Sequence, residues 1–241
     1  MPDPVVSLHD LSKRFGDFTA VDRVTFDVKV GEIFGFLGAN GAGKSTTIRM
    51  LCGILRPSSG RGIVGGIDIL ESPEAVKPFL GYMSQKFSLY DGLTVIENLD
   101  FFAGIYRVPN HREAVETALE NSGLRAMRGK LTGALPAGWK QQLSLAASVM
   151  HKPRILFLDE PTSGVDPMTR RRFWQTIRDM ADAGKTVFVT THSMTEAEYC
   201  DRLAIMKAGK LIALGSPNDL KRSASVDTLG DVFLALVRDG A

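Results

Sequence analysis

One nine-residue stretch limits what this chain can become. Gly38-Ala39-Asn40-Gly41-Ala42-Gly43-Lys44-Ser45-Thr46 follows the apolar run Glu32-Ile33-Phe34-Gly35-Phe36-Leu37. After it, Ile48, Leu51, Cys52 and Leu55 recur at the spacing of one helical face. The stretch fits G-x-x-x-x-G-K-[ST] in the strand, loop and helix setting that the pattern needs. Its glycines let backbone N–H groups curl around phosphate oxygens, and the helix start adds positive dipole. Lys44 is placed to neutralise the β- and γ-phosphates of a nucleotide, and Ser45 to ligate Mg²⁺. Gly38, Asn40, Gly41, Ala42, Gly43, Lys44, Ser45 and Thr46 are therefore the expected phosphate-binding residues.

Two later segments supply the chemistry that such a loop lacks. Ile155-Leu156-Phe157-Leu158 reads as a buried strand that ends in Asp159-Glu160-Pro161. Ligand sites in open α/β sheets lie at strand carboxyl ends. Asp159 is expected to hold the Mg²⁺ hydration shell, and Glu160 to accept a proton from an attacking water. Val187-Phe188-Val189-Thr190-Thr191 is another apolar strand, and His192 follows it where a γ-phosphate sensor would sit. Together the three segments imply a Mg-dependent nucleoside triphosphatase.

The remaining pattern sets the fold class. Short alternating runs over 5–36, such as Val24-Thr25-Phe26-Asp27-Val28, predict antiparallel strands. Residues 56–84 read as turns and short strands. Apolar spacing in Val95–Ile105 and Ala114–Leu124 predicts helices, and a loop at Thr132–Gly138 precedes a further helix, Gln141–Met150. Later helices are expected at Thr169–Ala183, Thr195–Asp201 and Thr228–Arg238. Strands are expected at Thr186–Thr190, Leu203–Met206 and Leu211–Ala213. Alternating strands and helices indicate an α/β domain with a mostly parallel sheet. The helical stretch 87–150 is too long for one crossover and is expected to be a lobe inserted in a single domain spanning 1–241.

Composition closes other routes. Lysine and arginine number 29 against 27 acidic residues, a formal charge of +2, too balanced to argue for nucleic acid. The Arg170–Arg172 triplet reads as a solvated helix face. Cys52 and Cys200 have no metal-ligand spacing and suit a reduced compartment. The start, Met1-Pro2-Asp3-Pro4-Val5, has neither the basic nor the apolar region of a signal peptide. The uncharged stretch Ile33–Gly43 is about half the ~20 residues that a membrane span needs.

The residues between these motifs carry a family resemblance. Gln85 stands in Gly81-Tyr82-Met83-Ser84-Gln85, Leu135-Pro136-Ala137-Gly138-Trp139-Lys140-Gln141 precedes the acidic pair, and Ser163-Gly164-Val165-Asp166 follows it. This order resembles the ATP-binding subunits of ABC transporters over nearly the whole chain. The resemblance implies a P-loop NTPase core with an N-terminal antiparallel β subdomain and an α-helical subdomain. It also implies ATP and Mg²⁺ as ligands, and head-to-tail pairing with a second ATPase protomer. By resemblance Gln85 senses Mg²⁺, water and the membrane partner, and joins Ser45 and Asp159 around the metal. Asp166 is the acid that couples the two sites, although a plain helix-cap Asp reads the same way. Phe15 falls where the family stacks a Tyr on adenine, although an aromatic in a strand-rich segment also suits a core. The family's Leu-Ser-Gly-Gly-Gln signature is altered here. Pro136 replaces the Ser that donates to the partner's γ-phosphate, leaving Ala137, Gly138 and the helix start to present backbone N–H groups, although a vestigial loop with no catalytic part reads the same way. Losing one bond to a charged group costs roughly 1.5–3 kcal/mol.

Thr191-His192-Ser193-Met194-Thr195-Glu196-Ala197-Glu198 and the ending Thr228–Phe233 resemble ATPase subunits of ABC-2 type exporters, including multidrug exporters. The resemblance implies an integral membrane permease partner and a position on the cytoplasmic side of the cell membrane. The second protomer is either another copy or a paralogous domain of a longer chain. Docking is expected around Gln85–Leu93 and Thr94–Phe102, with Phe87, Leu89 and Tyr90 exposed to form an apolar groove, although the same residues could simply pack the helical lobe. The alternative is a soluble ABC ATPase acting on ribosomes or DNA.

Overall fold

The computed structural model describes residues 4–85 and 89–238. Two sheets carry the chain. The first is antiparallel, in the order β2-β1-β4-β5, from β1 (Val6–Phe15), β2 (Phe18–Val28), β4 (Ser59–Val64) and β5 (Ile67–Asp68). The second has the order β10-β9-β3-β8-β7-β6, from β3 (Ile33–Leu37), β6 (Leu80–Met83), β7 (Ile155–Asp159), β8 (Thr186–Thr191), β9 (Arg202–Lys207) and β10 (Lys210–Gly215). Its strands pair in parallel except for β10, which lies antiparallel at the edge.

Every residue of β3, β7 and β8 is buried. Continuous apolar runs of this kind belong to parallel strands covered on both faces. Period-two alternation sends their side chains to two different cores. Phe34, Phe36, Phe157 and Phe188 face one side, where they meet Phe26 and Val28 of β2 and Ile48 and Leu51 of α1 (Lys44–Leu51). Phe157 and Phe188 stack with centroids 4.7 Å apart, and Phe26 and Phe34 at 5.0 Å. Ile33, Leu37, Leu156, Leu158, Val187 and Val189 face the other side, against Phe173, Trp174 and Ile177 of α6 (Pro167–Asp182).

Between the short α2 (Pro73–Val76) and α6 lie α3 (Val95–Ile105), α4 (His111–Asn121) and α5 (Ala137–Val149). These helices bury a cluster of their own, including Val95, Leu99, Val115, Leu119 and Leu143. Helix α3 starts at a capping box: Thr94 Oγ1 accepts from the Glu97 N–H, and Glu97 accepts from the Thr94 N–H. The last elements are α7 (Met194–Ala197), α8 (Pro217–Ser223) and α9 (Leu229–Arg238).

The structure moves several expected boundaries. The helix expected at Gln141 begins four residues earlier, because Pro136 fixes the backbone of the residue that precedes Ala137 (φ −56°, ψ 152°). The helix expected over Thr195–Asp201 is one turn only. Asp201 instead accepts from the Ile33 N–H at 2.8 Å and pairs with Arg178 at 3.0 Å, which ties it to the sheet. The sequence reading omits α8, where Ser216 Oγ accepts from the Asp219 N–H and Pro217 takes the first helical position.

A candidate nucleotide site at the carboxyl edge of the sheet

Four neighbouring strands end on one edge of the parallel sheet. Leu37 pairs with Thr191, Asp159 with Thr190, and Met83 with Leu158. The segments that follow, carrying Gly38, His192, Glu160 and Gln85, are therefore neighbours in space although far apart in sequence. Strand β6, which reads in sequence only as part of a turn-rich stretch, is what places Gln85 there.

The loop from Gly38 to Gly43 is shaped by close approaches. A Cβ on Gly38 would lie 2.5 Å from the Met206 carbonyl. Gly43 precedes α1 with φ 103°, and a Cβ there would lie 2.6 Å from the Ala20 carbonyl. Ala42 is buried and its N–H donates to the Ala39 carbonyl, whereas Asn40 and Gly41 face solvent. Thr46 is half-buried on the first turn of α1. Lys44 is only 5% exposed, and its Nζ donates to the carbonyls of Gly38 (2.7 Å) and Ala39 (3.0 Å). Burial lowers the pKa of its ammonium group, while the charges of Glu160 and Asp159 oppose that shift.

Asp159 sits among hydroxyls. Its Oδ1 accepts from Ser45 Oγ at 2.9 Å and from Thr190 Oγ1 at 2.6 Å. Thr190 Oγ1 in turn accepts from the Glu160 N–H at 2.9 Å. One buried threonine thus fixes both acidic residues. Glu160 has φ 49°, in the left-handed region that a non-glycine residue rarely occupies. Strain of this kind gathers where a side chain must be aimed. Here the carboxylate is aimed at two partners: Oε2 accepts from Gln85 Nε2 at 3.1 Å and lies 3.3 Å from His192 Nδ1.

The residues fit a hydrated Mg²⁺ and a triphosphate. Ser45 and Asp159 present hard oxygen donors beside the anion-binding loop. Among the described residues no group of three or more His, Cys, Asp or Glu side chains could hold a metal. Mg²⁺ needs no such cage, since it keeps several waters and binds through one or two protein ligands plus phosphates.

The other expected residues lie apart from this cluster. Phe15 ends β1 opposite Phe18, is 49% exposed rather than core, and has Lys13 Nζ 5.1 Å from its ring centroid. Pro136 caps α5, and its carbonyl accepts from the N–H groups of Trp139 and Lys140. The N–H groups of Ala137 and Gly138 precede that first helical bond and carry the positive end of the helix. Gly138 abuts α6, where a Cβ would lie 3.1 Å from Thr169 Cγ2. Asp166 caps α6, with Oδ1 accepting from the N–H groups of Met168 and Thr169 at 3.0 Å each. Hydrogen bonds from Thr169 hold its carboxyl below the usual carboxylate range. Asp166 is thus a helix cap that shares Thr169 with the start of α5.

The expected apolar groove changes in detail. Leu89 is half-buried and packs on the cluster of α3 to α5 instead of standing exposed. Tyr90 is exposed and meets the edge of Phe101 at 4.7 Å. Phe87 lies outside the described residues. Thr190 also belongs to the site, though no motif marks it. A hydroxyl that ends an apolar strand beside a charged segment is the signal that could have found Thr190.

Residues 21–163 match the family model described as ABC transporter. A shorter stretch, 140–198, also matches one described as AAA domain, putative AbiEii toxin, Type IV TA system. The chain is 52% identical over 244 residues to the Probable multidrug ABC transporter ATP-binding protein YbhF of Escherichia coli K12, across 98% of this chain and 42% of that protein. It therefore spans less than half the length of that relative. It is 38% identical to the linearmycin resistance ATP-binding protein LnrL of Bacillus subtilis, across 97% of this chain and 79% of the relative. A solved ATP-binding subunit of an ABC transporter superposes with TM-score 0.87 at 26% identity, over 97% of this chain and 99% of that one. Sequence, fold and the edge-of-sheet cluster agree: the chain belongs to the ABC transporter family, as an ATP-binding domain.

Proposed function

We propose that this chain binds and hydrolyses Mg²⁺–ATP and that the cycle powers a separate membrane permease of an ABC-2 type exporter. The observation that carries the reading is the convergence on one Glu160 oxygen of Gln85 and His192, beside the Asp159–Ser45 pair and the phosphate loop. Lys44 would leave the carbonyls of Gly38 and Ala39 for the β- and γ-phosphates, which offer stronger charge complementarity. Ser45, Asp159 and Gln85 would hold Mg²⁺, whose chemistry is to neutralise developing charge on the phosphates. Glu160 would accept the proton of the attacking water, with His192 and Gln85 holding its carboxylate in line. Phe15, exposed and flat, would stack on the adenine.

A second protomer, a copy of this chain or a paralogous domain, would approach head to tail and present the α5 start, Pro136-Ala137-Gly138, to the same γ-phosphate. Asp166 would couple the two sites through Thr169, which contacts that start. The helices α3 to α5 would form the inserted lobe, and the surface around Tyr90 and Phe101 would meet the permease on the cytoplasmic face of the membrane. Among the described residues no helix is long and apolar enough to cross a membrane. Relatives named for multidrug transport and for linearmycin resistance point to export of small molecules.

The test is hydrolysis by the purified chain with Mg²⁺–ATP, against Glu160→Gln. The amide keeps the shape but cannot take the proton. The expected loss in kcat is on the order of 10²–10³, as for removal of a general base, with ATP affinity retained. A wild-type chain that does not turn over ATP, or a Gln variant at the wild-type rate, would overturn the reading.

A further inference from the structure

We infer that Glu196 is a positioning residue that clamps the segment behind Glu160 to the segment carrying His192. The inference rests on the ATPase reading above, in which those two side chains act together.

Glu196 belongs to α7, and its side chain is 7% exposed. A carboxylate this deep is costly unless it is fully bonded. Here both oxygens are used. Oε1 accepts from Thr162 Oγ1 at 2.6 Å, and Oε2 accepts from Thr191 Oγ1 at 2.8 Å. Arg170 Nε of α6 lies 3.3 Å from Oε1 and supplies the balancing charge.

The placement of these partners gives the network its consequence. Thr162 is two residues past Glu160, and Thr191 directly precedes His192. Both threonines are 2% exposed, so neither hydroxyl has water as a ready substitute. Thr191 Oγ1 also accepts from the Ser193 N–H at 2.9 Å, which fixes the backbone on the far side of His192. Arg170 reaches on to the Val165 carbonyl at 3.5 Å, at the turn that leads to Asp166. His192 is 56% exposed in its side chain. Its 3.3 Å approach to Glu160 is therefore set by the backbone on either side, and Glu196 is the group that holds both backbones. It touches no reacting atom in this arrangement. Its effect passes through Thr162 and Thr191.

Steady-state ATP hydrolysis and amide hydrogen exchange of the purified chain test this, on wild type, Glu196→Ala and Glu196→Gln. We expect Glu196→Ala to lower kcat by roughly tenfold to a hundredfold, as misplacement of reacting groups does, with KM within about twofold. Exchange should rise in both 160–163 and 190–193 and stay unchanged in 38–46. Glu196→Gln, which keeps the shape and part of the bonding, should recover most of the exchange protection and part of kcat. Thr162→Val and Thr191→Val each cut one arm without removing a charge, and each should lower kcat if the Ala variant fails to fold. Unchanged kcat in the Thr variants or in Glu196→Ala, a change in KM alone, or exchange that rises equally in 38–46 would overturn the inference. If wild type fails to hydrolyse ATP, the ATPase reading falls. The exchange pattern then still decides whether Glu196 joins the two segments.

Discussion

The P-loop edge of the sheet and the start of α5 would meet one set of phosphates from opposite sides, yet they are built from different material. At the sheet edge the work falls to buried side chains. Lys44, Asp159 and Glu160 are each under 10% exposed, and Ser45, Thr190, Gln85 and His192 bond to them. At the α5 start there is a proline, an alanine and a glycine, with no side chain able to donate. What remains is the positive end of a helix and two early N–H groups. The difference teaches where each end tolerates change. A side-chain network fails when one partner is removed, because a buried group is left unpaired. A backbone site fails only when the backbone moves or its approach is blocked.

Three substitutions break or sharpen this contrast. The largest effect is expected at the sheet edge. Thr190→Val keeps the volume but leaves the Glu160 N–H without its acceptor and Asp159 with one donor fewer. It should cost about 1–3 kcal/mol of stability and lower kcat by roughly tenfold. Denaturant titration and steady-state kinetics check both, and a variant equal to wild type would show that the network is not needed.

A smaller effect is expected at α5. Pro136→Ser introduces a hydroxyl at a helix cap, where it accepts from the N–H two or three residues on, that of Gly138 or Trp139. That should stabilise α5 by about 1 kcal/mol and engage an N–H that an anion would otherwise use. Tm should rise, while ATPase activity stays within about threefold of wild type or falls. A tenfold gain in turnover would show instead that a missing side-chain donor limits this end.

The smallest effect concerns the far end of α5, where the helices meet the sheet. His151 Nε2 donates to the Leu80 carbonyl of β6 at 2.8 Å, and the ring stacks on Tyr106 at 4.1 Å. Its Nδ1 is buried among the described residues without a partner. Burial, joined by the nearby charge of Lys185, lowers its pKa. The folded state therefore holds the neutral ring, and the unfolded chain takes up the proton more readily. The resulting stability is present above the unfolded pKa of about 6.5 and is lost as pH falls below it. Between pH 7 and pH 5.5 the Tm of wild type should drop by more than that of His151→Gln. Equal drops would remove His151 from the account.

The same contrast explains how much was legible in sequence. The phosphate loop, the Asp159-Glu160 pair and His192 were readable because a buried parallel strand ending in a polar residue is itself a local pattern. The two-sheet α/β class followed from the same alternation. The placement of Gln85 was not readable from local pattern, since β6 is four residues long and its partner β7 lies more than seventy residues away. The start of α5 is not legible locally, because Pro136 reads as loop, whereas its fixed φ suits the residue before a first turn. Glu196 stayed hidden because a Glu in a short helix looks solvated. Only the long-range contacts with Thr162 and Arg170 show that it is buried.

We propose that each protomer supplies side chains at one end of the site and backbone at the other, so that two protomers would close around ATP. Light scattering on Glu160→Gln, alone and combined with Gly138→Asp, tests it most directly in the presence of Mg²⁺–ATP. Since a Cβ at Gly138 already crowds Thr169, Glu160→Gln with Gly138→Ala controls for size. The single variant and the Ala combination should form a dimer, and the Asp combination should stay a monomer with undiminished ATP binding, because its carboxylate repels phosphate at the helix start. A dimer that forms equally well with Gly138→Asp, or no ATP-dependent dimer in any variant, would contradict it.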